Sequence, residues 1–358
     1  MEIMQQLQQL AQERDIPVAE LLKEIEQSLA AAYKQYVGAR GEVAVTIDSQ
    51  KGFTAYIQKE VVGIVESPSF QMSITEARKR KADAEVGDFI ETQVDPNQFG
   101  RIAAQTFKQV LSQKLREFEQ RKIHDVFSEK MGEVVSGQVT RREGQSVFIT
   151  VNNKVECELP KREQVPTEPY RPNDRMRVYV LRVDDSGRHL RVIVSRTHPN
   201  LLRKLFELEV PEIADEVVVI KGVAREPGQR SKIAVISMDE RVDAVGACVG
   251  PRGSRVQTIV DELYEEKIDI VPYSEDPLTF ITNALSPAKV NSIKLTEATT
   301  EVERSAYVIV PDSQLSLAIG KGGQNVRLAA RLTEWKIDIR SESQAAAEGK
   351  GATEAKSK

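Results

Sequence analysis

A glycine turn occurs twice in this chain in the same setting, and this repeat restricts the possible folds more than any other feature. Residues 250–253 read Gly-Pro-Arg-Gly and residues 320–323 read Gly-Lys-Gly-Gly. Each turn lies between two stretches with helical patterning, and each unit then closes on Lys-Ile-Asp-Ile, at 267–270 and 336–339. The turns lie 70 residues apart and the closing segments 69 apart, so a whole structural unit is repeated.

The chemistry of such a turn points to a phosphate backbone. A G-x-x-G turn that carries a cation between two helices lets phosphates approach main-chain N–H groups with no side chain in the way. KH modules clamp about four nucleotides of single-stranded RNA in this manner. One copy alone is explained better by a helix-to-helix corner, but two copies with a base in each favour RNA binding. A nucleotide-binding P-loop is excluded because neither turn has the G-x-x-x-x-G-K-[S/T] order.

The composition excludes several other classes of protein. A chain of 358 residues with 29% charged and 40% hydrophobic side chains fits two to four soluble domains. Cys157 and Cys248 have no metal-ligand spacing, and the three histidines are scattered, so we expect no metal, no cofactor and no catalytic residues. The polar start and the lack of an apolar run of membrane-spanning length predict a cytoplasmic protein that meets no membrane.

The net charge of −4 is distributed unevenly along the chain. Residues 1–30 carry six acidic and two basic side chains, whereas residues 101–122 carry six basic and two acidic ones. Residues 132–200 carry twelve basic and nine acidic side chains. An acidic end and a basic middle predict one basic or amphipathic partner and one polyanion.

Residues 1–130 are predicted to form an α/β domain. A helix from Pro17 to Gly38 is followed by strands at 43–47, 54–58, 61–65 and 89–94, with a short helix capped by Ser73 and Glu76 before the last of them. A long helix from about 101 to 130 presents Lys108 and Lys114 on its polar face. These bases are either a solvated helix face or RNA contacts.

Residues 131–200 change to short strands separated by polar turns. The strands are predicted at 132–140, 146–151, 155–160, 175–183 and 189–195. Five strands in this length predict a five-stranded OB-fold β-barrel, whose second and third strands commonly bind single-stranded nucleic acid. Phe148 is then either a base-stacking platform or part of the barrel core. The basic and aromatic candidates for RNA contact on the barrel are Phe148, Arg141, Arg142, Tyr170, Tyr179, Arg175 and Arg177.

The two repeat units fill most of the remaining chain. They span residues 201–273 and 274–342, each in the order helix, two strands, helix–turn–helix and strand. Residues 343–358 contain no apolar side chain larger than alanine, which predicts a disordered tail. The predicted RNA contacts in and just after the turns are Gly250, Pro251, Arg252, Gly253, Arg255, Gly320, Lys321, Gly322, Gly323, Asn325 and Arg327.

With these residues in view, the chain resembles the NusA family of bacterial transcription termination/antitermination (elongation) factors over about residues 1–342. The resemblance is strongest at 225–228 (Arg-Glu-Pro-Gly), 245–250 (Val-Gly-Ala-Cys-Val-Gly), 266–270 (Glu-Lys-Ile-Asp-Ile) and 317–329, which contains the second turn. One departure is Ala244, where the family pattern has proline at a helix corner. The resemblance implies an α/β N-terminal polymerase-binding domain, a five-stranded OB-fold β-barrel and two tandem type II KH domains, a multidomain α+β protein.

The same resemblance implies the function and the partners. Members of the NusA family bind core RNA polymerase at the flap region of the RNA exit channel. They promote pausing and intrinsic termination, and they take part in antitermination with other antitermination factors. The barrel and the KH domains would receive nascent single-stranded RNA and RNA hairpins. We expect such a factor to be a monomer and not an enzyme.

Two other classes of protein fit part of the pattern. Exoribonucleases and polynucleotide phosphorylases also join an OB barrel to KH modules, but they need clustered carboxylates for two metals, and the acids of residues 1–130 are scattered along helix faces. Degradation of labelled RNA in phosphate and magnesium would favour them. A ribosome-associated translation factor would co-purify with ribosomal subunits instead of polymerase subunits.

Overall fold

The computed structural model describes residues 2–13, 16–48, 52–152, 154–185, 190–297 and 304–347. The chain divides into two compact units, residues 1–125 and residues 126–358. In the described residues no helix has the length and apolar character needed to cross a membrane. The predicted turn residues 186–187 and His189 lie outside the described residues.

The first unit packs helices against a mixed sheet. Strand β2 is central: it pairs with β1 and β4 in antiparallel fashion and with β3 in parallel. Apolar side chains of α2 at helical spacing pack on this sheet, with Tyr33 edge-on to Phe99 at 5.2 Å between ring centroids. The elements are α1 (Glu2–Glu13), α2 (Val18–Val37), β1 (Val43–Asp48), β2 (Gly52–Val62), β3 (Gln71–Ser73), α3 (Ile74–Arg80), β4 (Phe89–Gln93) and α4 (Pro96–Glu129).

The first unit differs from the sequence-based prediction at α1 and β2, and it confirms the prediction at the start of α3. Helix α1 was not predicted; it forms because Leu7 and Ala11 are buried in the same core as α2. Strand β2 is continuous where two strands were predicted. The predicted cap of α3 is confirmed, since Ser73 Oγ accepts a hydrogen bond from the Glu76 N–H at 3.2 Å.

The second unit begins with a closed five-stranded barrel, which confirms the predicted OB fold. Its strands pair in the order β5-β6-β7-β9-β8, and β8 returns to β5. Along β6 the exposure alternates, so Val147, Ile149 and Val151 face the barrel interior and the residues between them face outward. The strands are β5 (Val134–Glu143), β6 (Ser146–Val151), β7 (Val155–Leu159), β8 (Arg175–Asp185) and β9 (Leu190–Ser195).

Two repeat units with the same topology follow the barrel. In each, the middle strand pairs antiparallel with the strand before it and parallel with the closing strand. We call the first repeat KH1; it contains α5 (Pro199–Glu209), α6 (Pro211–Ala214), β10 (Val218–Glu226), β11 (Arg230–Ser237), α7 (Ala244–Val249), α8 (Ser254–Glu262) and β12 (Lys267–Pro272). We call the second KH2; it contains α9 (Pro277–Ala284), β13 (Ser292–Thr296), β14 (Ser305–Val310), α10 (Leu315–Ile319), α11 (Gln324–Thr333) and β15 (Lys336–Ser341).

The hydrophobic core of KH2 includes residues of KH1, while KH1 also has a separate core of its own. Ala224, Ala234 and Val271 of KH1 belong to the same buried cluster as Leu328 and Leu332 of α11 in KH2. Because this cluster crosses the boundary between KH1 and KH2, the two KH domains cannot rotate against each other without exposing apolar surface. Residues 342–347 are helical, which differs from the disorder predicted from residue 343. The remainder of that predicted tail, residues 348–358, lies outside the described residues.

Candidate nucleic-acid interface

The two glycine turns have nearly the same backbone conformation. Gly250, Arg252 and Gly253 have (φ, ψ) of (72°, 175°), (55°, 24°) and (79°, 11°). The corresponding angles at 320, 322 and 323 are (76°, 171°), (60°, 26°) and (75°, 13°). All three positions have positive φ, a region that glycine adopts without strain and that costs other residues roughly 1–2 kcal/mol. The structure therefore repeats the turn itself as well as its sequence.

The first glycine of each turn is closely packed, whereas a later one faces open space. A Cβ at Gly250 would lie 2.7 Å from Arg255 Cγ, and one at Gly320 would lie 2.8 Å from the Asn325 backbone nitrogen. The first glycine is therefore required by close packing inside the turn. A Cβ at Gly253 or Gly322 would meet no atom within 4 Å, so this side of the turn is open to solvent and to an approaching backbone.

The cations of the turns are exposed. The side chains of Arg252 and Lys321 form no ion pair or hydrogen bond with the residues that the structure describes, and Pro251 is exposed beside Arg252. The N–H groups of Gly253 and Gly323 already donate to the carbonyls of Gly250 and Gly320, each at 3.1 Å. The turns therefore offer a phosphate the exposed cation and open glycine surface, whereas these two N–H groups are occupied.

Two predicted RNA contacts have a different place in the structure. Arg255 Nη1 donates to the Ala247 carbonyl at 2.6 Å and pairs with Glu212 at 2.9 Å. Asn325 is only 5% exposed and its amide donates to the carbonyls of Ala318 and Leu285, at 3.0 and 3.1 Å. Burial corrects the expectation for Asn325, since a side chain enclosed in this way holds the turn against α10 and does not face RNA.

Arg327 joins the second turn to KH1. Its Nη1 donates to the Gly322 carbonyl at 3.1 Å, and its Nε and Nη2 donate to Glu226 at 2.5 and 3.1 Å. The hydrogen bond from Arg327 is the main reason that the pKa of Glu226 lies below its usual range. Arg327 remains partly exposed, so it can fix the turn and still lie beside a bound backbone.

The barrel presents one aromatic residue to solvent among its candidates. Phe148 lies on the outward face of β6 and is half-buried, and the Arg141 guanidinium lies 3.9 Å from its ring centroid. Arg141 also pairs with Glu156 at 2.8 Å and with Glu143. Arg142 is exposed, 5.9 Å from the ring of Tyr170. The position of Phe148 outside the core allows it to stack with a base.

The two tyrosine candidates are not available for stacking. Tyr170 is buried and its hydroxyl accepts the Val165 N–H at 2.7 Å, while burial raises its pKa far above the usual value. Tyr179 is buried in a stack with His198, with ring centroids 4.5 Å apart. Both side chains are structural because they fill the junction around the barrel. Of the two arginines proposed with them, Arg175 is exposed, and Arg177 pairs with Glu209 at 3.0 Å.

In the first unit, Lys108 and Lys114 differ. Lys108 is exposed, and it has no ion-pair partner among the described residues. Lys114 is 17% exposed and pairs with Glu24 and Glu117, both at 2.9 Å. Hydrogen bonds to Glu117 and Glu24 raise the pKa of Lys114. Lys114 is therefore an internal contact between α4 and α2, and part of the acidic-to-basic contrast along the chain is neutralised within this unit.

A cluster of buried ion pairs holds the barrel, KH1 and KH2 together, and the sequence did not predict it. Arg196 is fully buried and pairs with Glu168 of the β7–β8 connection at 2.6 Å and with Glu262 of α8 at 2.9 Å. Arg225 and Glu266 are each about 1% exposed and form two parallel hydrogen bonds of 2.9 Å. In the sequence, this cluster was indicated only by the Arg-Glu-Pro-Gly segment at 225–228, which was quoted for its resemblance to the NusA family.

The turn between β10 and β11 is the centre of this cluster. The N–H of Gly228 donates to Glu266 at 2.8 Å, and a Cβ at Gly228 would lie 2.3 Å from Thr167 Oγ1 in the barrel's β7–β8 connection. Its neighbour Glu226 binds Arg327 of KH2. One short turn therefore contacts the barrel on one side and KH2 on the other, which fixes both G-x-x-G turns in one body.

The described residues contain no group of three or more His, Cys, Asp or Glu side chains able to hold a metal ion. The two cysteines are buried and free, and burial raises the pKa of each to about 12. Such thiols remain protonated at neutral pH and are poor nucleophiles. The candidate interface is built of cations, glycine turns and one outward aromatic side chain.

Comparison with known proteins assigns each region to a family. The NusA N-terminal domain matches residues 2–121, the S1 RNA binding domain matches 129–195, and the NusA-like first and second KH domains match 196–273 and 277–347.

Similar proteins extend over nearly the whole chain. The transcription termination/antitermination protein NusA of Halalkalibacterium halodurans is 47% identical over 96% of this chain and 89% of its own length. That of Bacillus subtilis is 46% identical over 96% of this chain and 92% of its own. The solution structure of the N-terminal domain of NusA from B. subtilis is 36% identical and covers 33% of this chain and 97% of that one, with a TM-score of 0.26. The chain therefore belongs to the NusA family of transcription termination/antitermination proteins.

Proposed function

We propose that this chain is a non-catalytic, monomeric transcription factor of the cytoplasm that binds core RNA polymerase and nascent RNA. It promotes pausing and intrinsic termination, and it takes part in antitermination with other factors. The observation that carries the proposal is the pair of G-x-x-G turns with the same backbone conformation and an exposed cation in each. Both turns lie in one compact unit together with an OB barrel.

The RNA is bound by the second unit. Each turn takes about four nucleotides of single-stranded RNA, the usual length for a KH module. Arg252 and Lys321 contact phosphates, while Gly253, Gly322 and Gly323 let the backbone approach. Phe148 stacks with a base that leaves the KH turns, with Arg141 and Arg142 beside it. Arg255 and Asn325 stabilise the turns through hydrogen bonds and do not themselves contact RNA.

The polymerase is bound by the first unit, at the flap region of the RNA exit channel. The match of residues 2–121 to the NusA N-terminal domain supports this assignment. Exposed apolar side chains near the ends of β2 and β4 also favour a protein partner: Ile64 is 84% exposed, Val86 is 64% exposed and Phe89 is about half exposed. Lys108, on the solvent side of α4, contacts RNA hairpins as they emerge.

The division of labour is tested with two fragments, residues 1–130 and residues 131–358, which leave α4 whole and follow the two compact units to within a few residues. Immobilised residues 1–130 should retain core polymerase, while residues 131–358 should bind single-stranded RNA and retain little polymerase. Retention of polymerase by the second fragment alone would reject the assignment. Incubation of the full chain with labelled RNA, phosphate and magnesium should leave the RNA intact, and degradation would favour an exoribonuclease.

The two lysines of α4 provide a matched pair for the pausing step. Lys108→Glu should weaken pausing at RNA hairpins more than it weakens polymerase binding, because the side chain is exposed. Lys114→Glu places a third carboxylate beside Glu24 and Glu117 and should instead lower the stability of the first unit. Equal loss of pausing and of polymerase binding in Lys108→Glu would contradict the RNA contact.

A further inference from the structure

A polar recess lies on the outer face of the barrel, where β5 lies between the second strand β6 and β8. It encloses about 120 Å³ and is lined by Ser136, Gly137, Gln138, Thr150, Asn152 and Arg175. A volume this small is well below the ~300–1,000 Å³ of pockets that enclose a whole small ligand. The recess therefore has the size of a subsite for one part of a longer molecule.

The strand registers explain why these side chains meet. Gln138 of β5 lies opposite Thr150 of β6 on one side and opposite Arg175 of β8 on the other. Thr150 is two residues from Phe148, so both project from the same outward face of β6. The recess is thus the neighbour of the Phe148 platform on the side of β5 and β8.

The charge of the recess is not neutralised. Most arginines of the barrel have a carboxylate partner, as Arg141, Arg177 and Arg182 do. Arg175 is exposed and has no such partner in the part of the chain that the structure describes. The Gln138 amide nitrogen donates to the Asn173 carbonyl at 3.2 Å, which fixes the side chain and leaves its oxygen as an acceptor. An anion beside hydrogen-bonding groups is the chemistry that suits this arrangement.

The recess also lies on the side of the barrel that meets KH1. Ser136, at its edge, is opposite Arg177 in the β5–β8 pairing. Arg177 in turn pairs with Glu209 of α5, and its backbone N–H donates to Glu262 of α8 at 2.9 Å. A strand of RNA that leaves the Phe148 platform across this recess therefore continues toward KH1.

We propose that this recess is a nucleotide subsite for single-stranded RNA, in which Arg175 binds a phosphate and Gln138 and Thr150 meet the edge of a base. The proposal rests on the proposed function, because it needs the second unit to bind RNA. It adds that the RNA path runs over β5 and β8 between the barrel and KH1. A chain held this way would engage the barrel only when it is longer than the two KH turns can cover.

The test compares RNA of two lengths on the full chain by fluorescence anisotropy. An RNA of about eight nucleotides fills two KH turns at about four each, whereas about 16 nucleotides reach the barrel. Arg175→Gln should raise the Kd for the longer RNA about fivefold at ~0.1 M salt and lower its salt slope by about 0.7, the contribution of one phosphate contact. The Kd for the shorter RNA should not change.

The matched control is Arg162→Gln, an exposed barrel arginine outside the recess, which should leave both values unchanged. Gln138→Ala should change the Kd for adenine, cytosine and uracil homopolymers unequally, because it removes a base-edge contact. Thr150→Val, which preserves the side-chain shape, should also weaken the longer RNA and serves as a second variant should Arg175→Gln fold poorly.

The outcomes separate the subsite from the wider proposal. Equal effects of Arg175→Gln and Arg162→Gln on the longer RNA, or no effect of either, would overturn the subsite and leave RNA binding by the KH turns standing. Loss of polymerase association with unchanged RNA affinity would assign the recess to a protein carboxylate and also overturn it. Failure of the unaltered chain to bind the eight-nucleotide RNA would reject the proposed function itself.

Discussion

KH1 and KH2 share a topology, a turn geometry and a closing Lys-Ile-Asp-Ile strand, yet different chemistry fixes that strand. In KH1 the residue before the strand is Glu266, which accepts hydrogen bonds from Arg225, Gly228 and Ser231. In KH2 the same position is Trp335, buried in the core that KH2 shares with KH1. One domain thus uses a buried ionic network where the other uses an apolar side chain.

The aspartates of the closing strands show the same difference. Lys232 lies opposite Asp269, and Tyr307 lies opposite Asp338. Asp269 pairs with the buried Lys232 ammonium at 2.9 Å, whereas the Asp338 side chain is 56% exposed and pairs with the partly exposed Arg340 at 3.4 Å. Lys232 also donates to the Ser286 carbonyl of KH2 at 3.2 Å. The same Lys-Ile-Asp-Ile sequence therefore places its aspartate at a domain junction in KH1 and at the solvent-exposed surface in KH2.

The position of each domain explains the difference. KH1 contacts the barrel through Gly228 and KH2 through Glu226, so its polar groups are enclosed by neighbours on two sides. Buried charges are stable only when they are paired and hydrogen-bonded, which fixes the orientation of the partners. KH1 therefore orients its two neighbours, and the RNA surface that we propose for the turns depends on it.

The largest effect expected from this contrast is on stability. Glu266→Gln leaves the Arg225 guanidinium buried without its carboxylate and should lower the free energy of unfolding of the second unit by about 3–5 kcal/mol. Trp335→Phe keeps an aromatic side chain but leaves a small cavity in the core, and it should cost less, about 1–2 kcal/mol. Fluorescence of Trp335, the single tryptophan of the sequence, follows denaturant unfolding of Glu266→Gln, and circular dichroism follows both variants.

Glu265→Gln is the matched control, since Glu265 is the exposed neighbour of Glu266 and its change should stay within about 0.5 kcal/mol of the unaltered chain. A similar cost for Glu265→Gln and Glu266→Gln would mean that burial of the network is not what stabilises KH1.

The two aspartates should give the next largest difference. Asp269→Asn weakens a hydrogen bond to a buried ammonium and should cost about 2–3 kcal/mol, whereas Asp338→Asn should stay within about 0.5 kcal/mol. Burial opposes ionisation of Asp269, but hydrogen bonds from Arg230 and Lys232 outweigh it and hold its pKa below the usual range. Stability from this carboxylate is present above its unfolded pKa of about 3.9 and is lost as pH falls through the lower folded value.

Unfolding curves at neutral and acid pH check this expectation. The gap between the unaltered chain and Asp269→Asn should begin to narrow below about pH 4 and should close only below the lower folded pKa of Asp269, where both proteins lack the charge. A gap that stays constant, or an equal loss in Asp338→Asn, would show that the two strands are held alike.

Replacement of the open glycines should have a moderate effect on RNA affinity. Asp at both Gly322 and Gly323 places side chains and negative charge where the backbone approaches, and should weaken binding of short single-stranded RNA at least tenfold, about 1.4 kcal/mol. Gly52→Asp is the control, because Gly52 also has positive φ and open surroundings but lies in the first unit. Unchanged affinity in the double variant would remove the second turn from the RNA surface.

The smallest effect concerns the cations, which occupy different positions in the two turns. KH1 carries Arg252 at φ 55°, where KH2 has Gly322, and KH2 carries Lys321 one position earlier. Arg252→Gly should relieve backbone strain of about 1 kcal/mol while lowering the salt slope of RNA binding by about 0.7. Lys321→Ala should lower the slope equally without the gain in stability. Thermal unfolding and salt titration of both variants measure these changes.

The sequence predicted the elements that depend on local patterning, and long-range packing decided the rest. The G-x-x-G turns, the closing strands and the barrel follow from spacing and alternation within about 70 residues. The burial of Asn325 and the pairing of Lys114 with Glu24 depend on elements far apart in the sequence. The pair Glu226–Arg327 joins residues 101 positions apart, and no local pattern indicates it. Helix α1 was missed because Leu7 and Ala11 become a core face only against α2.

The central claim is that KH1 holds both turns in one fixed surface, so that two RNA sites act together. The most direct measurement is the Kd of the full chain for RNA of about four and about eight nucleotides, in the unaltered chain and with Gly253→Asp or Gly322→Asp. Eight nucleotides should bind at least 100-fold more tightly than four, because the second contact becomes intramolecular. Either substitution should reduce the longer RNA to nearly the affinity of the shorter one. Equal affinity of the two RNAs in the unaltered chain would contradict the account.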